Sequence, residues 1–221
     1  MTGRLIVALS LASAASGAVV VDRIAVIVGN RAIKTSDLER DLRVSQLLNN
    51  EPARSDVETR RKVAERLIDQ ELVRQEMLSG GGGYRPPGEK DVDALVEQLR
   101  RDRFGGSEER MSEALARYGL TTDQLRRQLL WQLTVLRFID QRFRPAVLVT
   151  DQDVSGYYKL HRAAFEKAYP QAHGLEALQP KIREILTGER VNELFEEWLK
   201  QKHATTRIEY RDPALERGAN K

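Results

Sequence analysis

Apolar positions along this chain change their spacing several times, and each change predicts an element. Val21 to Val28 is a β-branched, apolar run, followed by Gly29-Asn30 and the short stretch Arg31 to Lys34. That order predicts a strand, a tight turn and a return strand. Ser36, with Glu39 three residues on, is the capping box of a helix that runs to Asn49. Pro52 breaks the chain. Ser55 and Glu58 form a second box, and Val57, Val63, Leu67, Ile68, Leu72 and Val73 make the apolar stripe of a helix reaching Leu78.

Gly80 to Gly83 and Pro86-Pro87 predict a flexible connector. No Gly-Lys-Ser/Thr follows the glycines, so a phosphate cradle is disfavoured. Glu89 to Phe104 is a third helix. A short fourth begins at Ser107 and runs through Met111 and Leu115 to Tyr118, with Gly119 as its C-terminal cap. Thr121 or Thr122 opens a fifth helix that ends before Pro145. Its apolar residues form two stripes: Leu125, Leu129, Leu133 and Leu136 on one side, and Trp131, Val135 and Phe138 roughly opposite. Such a helix is either sandwiched in a core or shows one side to a ligand.

Ala146 to Val149 is an extended link, and Thr150 caps a helix from Asp151 to about His161. Residues 162–174 are predicted irregular. A long amphipathic helix starts near Ala177, which places Pro180 in its first turn, and continues through Leu199. Thr205 to Tyr210 is the last predicted strand, and residues 213–221 are expected to be a disordered tail.

Composition adjusts this picture modestly. The 221 residues are 41% apolar, 31% charged and 6% aromatic, as in a folded helical protein. The formal charge of +3 comes from acids and bases that alternate along the chain, which suits a solvated helical surface. Arg60-Arg61-Lys62, Arg100 to Arg103 and Arg126-Arg127 all have acidic neighbours, so a nucleic-acid partner is disfavoured. The absence of cysteine excludes disulfides, a thiolate nucleophile and zinc-thiolate ligation.

Arg4 followed by the apolar run Leu5 to Ala15 has the layout of an export signal and is too short to span a bilayer. Cleavage is expected after Ala18, with Ala14 as the alternative. Loss of residues 1–18 removes Arg4 as the only charged side chain and leaves +2. No stable membrane insertion is expected after cleavage. His161, His173 and His203 lack metal-ligand spacing, and neither a nucleophile elbow nor a dinucleotide fingerprint is present. No metal site, cofactor or catalytic residue is therefore assigned.

The ordered series of segments resembles the core of SurA-type periplasmic chaperones. It comprises Val21 to Leu38, Ala64 to Met77, Asp91 to Leu120, Leu125 to Arg142, Val149 to Tyr158 and Ile182 to Asp212. The resemblance implies a mostly α, multi-helix chaperone core with a small antiparallel sheet built from the N-terminal hairpin and a C-terminal strand. It also implies one domain over residues 19–212, in which residues 175–212 complete residues 19–160.

Many members carry a parvulin prolyl isomerase domain after the segment that resembles Tyr157-Tyr158. Here only residues 159–174 stand at that point, against the hundred or so residues of an ordinary domain. The implied function is an ATP-independent periplasmic holdase for unfolded polypeptides, outer-membrane proteins foremost, in an apolar crevice and without isomerase activity. Trp131, Val135 and Phe138 are its first client-binding candidates and Phe104, Met111 and Tyr118 its second. Core packing competes for each of them. The other functional class is an exported adaptor or structural protein that holds one folded partner.

Overall fold

A computed structural model describes residues 22–80, 84–172 and 174–216. The expected signal segment and His173 lie outside these residues. Strands β1 (Ile24–Val28) and β2 (Arg31–Lys34) form the expected hairpin. Gly29 adopts φ +61 in its turn, a conformation that glycine reaches without strain. Strand β3 (Ile208–Tyr210) pairs antiparallel with the other side of β1, giving the order β2-β1-β3. The Gly29 N–H donates to Arg207 O at 2.8 Å and extends that ladder. β1 is thus the central strand, and its Val26 and Val28 are fully buried.

Seven α-helices are present among the described residues: α1 (Thr35–Asn49), α2 (Val57–Ser79), α3 (Glu89–Phe104), α4 (Glu108–Arg117), α5 (Thr122–Phe143), α6 (Asp151–Ala168) and α7 (Gly174–Thr205). Sequence located most of their starts. Thr121 accepts from Gln124 N–H at 3.2 Å while its own N–H donates to Gln124 Oε1 at 2.9 Å, and Thr150 makes the equivalent exchange with Asp153. The first two caps differ from expectation. Lys34 N–H is held by Asp37, while Ser36 instead donates to Asp22 at 2.5 Å. Asp56, one residue past Ser55, caps α2 by accepting from Thr59 N–H at 2.9 Å.

Two larger corrections concern α6 and α7. The helix α6 continues seven residues past His161 to Ala168, because Phe165 finds a buried place against Leu178 and Ile182. Helix α7 begins at Gly174, so Pro180 lies inside it rather than in its first turn. Pro180 and Glu176 are both exposed, and the carbonyl that loses its partner can turn to water. The tail expectation also fails over Pro213–Leu215. These residues form a 3-10 turn capped by Asp212, and Leu215 is buried beside Val63 and Ala64 of α2.

Three apolar clusters hold the fold together. The first joins the sheet, α2, the second half of α5 and the end of α7. Its aromatic centre is Phe138, Phe143, Phe195 and Trp198, with ring centroids about 6 Å apart. The second joins α1, α3, α4 and the first half of α5. The third lies between α6 and the first half of α7. Helices α5 and α7 each serve two clusters, which explains why both carry so much apolar sequence.

Candidate functional site

A groove of about 610 Å³ runs along the outer edge of β2, between α1, α2 and α5. Trp131 from α5 and Leu67 from α2, both half-buried, give it an apolar wall. The Arg74 guanidinium lies 4.5 Å from the centre of the indole ring, a cation–π contact. Glu71, only 4% exposed, is paired with Arg74 and with Arg31 and also accepts from Gln75 at 3.2 Å. Asp41, 3% exposed, is paired with Arg66 and accepts from Gln128 at 2.8 Å. These pairings satisfy carboxylates that burial would otherwise penalise heavily. The buried indole N–H of Trp131 meets no acceptor among the described residues.

The wall is therefore more polar than the apolar crevice expected from sequence. One turn of 100° per residue explains the difference. Trp131, Val135 and Phe138 sit four and three residues apart on α5, and that stripe faces the first cluster. Phe138, 5% exposed, is core. Val135 is half-buried against the same cluster, and Trp131 alone of the three lines the groove. The opposite stripe packs into the second cluster through Leu125 and Leu129, while Leu136 is left 64% exposed.

The three secondary candidates gather elsewhere. Phe104 and Tyr118 line a separate cavity of about 530 Å³ at the ends of α1, α3 and α4. Tyr118 donates to Glu51 O at 2.6 Å. Met111, 1% exposed, belongs to the cluster beneath and offers no surface. Asp41, Glu71 and Arg74 were missed by sequence reasoning. A readable signal existed for the two acids: Asp41 falls between Leu38 and Leu42, and Glu71 between Ile68 and Leu72, on stripes that otherwise face inward.

Several titratable groups outside the groove tie elements of the fold together. His203 approaches Asp69 at 2.6 Å and ties the end of α7 to α2. Burial pushes the Asp69 carboxyl above its usual range, against the lowering effect of His203. Arg60 pairs with Asp212, Arg100 with Glu97, and Arg126 with Glu89 and Asp93. Arg61 donates to Ala214 O at 2.7 Å. One or two arginines of each basic cluster thus make contacts within the fold. Among the described residues no group of His, Asp and Glu could hold a metal ion, and no helix is long and apolar enough to cross a membrane.

The fold is a mostly helical body closed by a three-stranded sheet, with a groove of polar walls along the sheet edge. No protein-family model matches the chain. It is 26% identical over 172 residues to Chaperone SurA of Chromobacterium violaceum, a match that covers 76% of this chain. The chain spans only 39% of that relative's length. The similarity is distant and covers part of that relative.

Proposed function

We propose that this protein is an ATP-independent holdase of the periplasm that binds unfolded polypeptides, outer-membrane proteins foremost. The similarity to Chaperone SurA over 172 residues is the observation that carries the reading. The groove beside β2 is its binding surface, with Trp131 as the anchor. Phe104 and Tyr118 in the second cavity offer a weaker site, and Val135, Phe138 and Met111 support these surfaces from below.

Weak, reversible binding suits such a groove. Covering about 300 Å² of apolar surface contributes roughly 7 kcal/mol at 25 cal/mol per Å². Ordering and association consume at least about 4 kcal/mol of that, so release needs no nucleotide. The reading includes no prolyl isomerase activity, because α6 and α7 are joined through residues 169–173, where a domain of about a hundred residues has no place.

Light scattering of an urea-unfolded outer-membrane porin, diluted into buffer without ATP, tests the reading. Near-equimolar protein is expected to suppress the scattering. Unchanged scattering from folded protein would contradict it and favour an adaptor with one folded partner.

A further inference from the structure

β2 lies at one edge of the sheet, and its Arg31, Ala32 and Ile33 line the groove. The pairing register shows which backbone groups are unused. Arg211 N–H donates to Ala25 O and Gly29 N–H to Arg207 O, both at 2.8 Å. These bonds set the alternation along β1, so the intervening Ile27, opposite Glu209, turns its N–H and C=O toward β3. Ile27 is also opposite Ala32 on β2. Ala32 therefore occupies a position without hydrogen bonds to β1, and its N–H and C=O point out from the free edge into the groove. Ala32 is exposed. Its neighbour Lys34 has no such freedom, since Asp37 takes its N–H.

The charge around this edge favours one kind of occupant. Arg31, Arg40, Arg74 and Arg127 line the groove against Asp37, Asp41 and Glu71. Asp41 is already neutralised by Arg66, which stands outside the lining. Arg127 is exposed and makes no ion pair among the described residues. The surplus is positive. We infer that the β2 edge takes up an extended, acidic polypeptide segment by strand addition, through paired hydrogen bonds to the Ala32 N–H and C=O, with Trp131 under its apolar side chains.

This inference rests on the holdase reading and specifies how that groove holds a chain. Backbone pairing explains how many unrelated sequences would be accepted, since every extended segment offers the same donors and acceptors. The acidic preference then comes from side chains at alternate positions. Edge strands bordered by Arg and Lys also resist self-association, so the same charges that admit an acidic chain keep copies of this basic edge apart.

The test uses fluorescence anisotropy with a short labelled peptide of alternating valine and glutamate, together with the same peptide N-methylated throughout its centre. The protein is expected to bind the first at least about tenfold more tightly, the loss produced by one or more unmet backbone hydrogen bonds. Ala32→Pro removes the outward donor without touching a bond to β1 and is expected to weaken the unmodified peptide about as much. Arg127→Glu is expected to weaken binding and flatten its salt dependence. Equal binding of both peptides to the parent protein, or no binding of either, overturns the inference even if Ala32→Pro fails to fold. Should the parent bind porin and suppress its aggregation while treating both peptides alike, strand addition fails and the holdase reading stands. If the parent suppresses nothing, the holdase reading itself falls.

Discussion

Phe138 and Trp131 lie on one stripe of α5 but carry different loads. Phe138 contacts Tyr84, Phe143 and Trp198 within the main core. Phe138→Ala is expected to lower the unfolding free energy by about 3–5 kcal/mol, a large part of the 5–15 kcal/mol typical of a domain, as measured by urea denaturation. Trp131 is half-buried at the groove wall and held by Arg74. Trp131→Ser is expected to cost clearly less stability while reducing suppression of porin aggregation. A Trp131→Ser protein that aggregates porin no more than the parent would remove the anchor from the account. Asp69 gives a pH signature at the same scale. Burial raises its carboxyl above the usual range, so its contribution to stability is full below the ordinary value of 3.8 and is lost as pH rises through the raised folded value. The melting temperature of Asp69→Asn, relative to the parent, should therefore rise as pH is taken from about 4 to neutrality. A relative melting temperature that stays flat or falls over that range would show that pairing with His203, not burial, dominates.

At the scale of elements, the ends of helices were legible where a short polar side chain or a glycine satisfies the terminal backbone groups. Ser107, Thr121 and Thr150 cap as expected, and Gly119 closes α4 at φ +61 while Leu120 N–H returns to Leu115 O at 2.9 Å. What was not legible depends on contacts distant in sequence. The extension of α6 to Ala168 follows from Phe165 packing on α7, and nothing near Phe165 announces it. The turn at Pro213–Leu215 similarly depends on α2: Arg61 donates to Ala214 O, and Arg60 pairs with Asp212. Leu215→Ala is expected to destabilise the protein by about 2–4 kcal/mol in urea denaturation. A change under about 0.5 kcal/mol, as at an ordinary surface position, would restore the picture of a frayed tail.

For the whole molecule, α7 is the element that joins distant parts of the chain. Its first half supplies Leu178, Ile182 and Leu186 to the cluster with α6, and its second half supplies Val191, Trp198 and Leu199 to the main core. Strand β3 then returns to the N-terminal hairpin. We propose on this basis that the described residues, through Leu215, form one folding unit. Deleting residues 175–221 is expected to abolish cooperative thermal unfolding, and a truncated protein that still melts sharply would show that the N-terminal part folds alone. The candidate site was only partly legible in the sequence. Trp131 was readable as an aromatic on a two-faced helix, but the groove around it is assembled from β2, α1, α2 and α5, and its charge balance depends on which carboxylates the fold pairs internally. The most direct measurement is amide hydrogen exchange of the protein with and without a saturating unfolded porin segment. Binding in the groove is expected to slow exchange at residues 31–34 and along the face of α5 around Trp131. Protection confined to the cavity of Phe104 and Tyr118, or none at all, would contradict it.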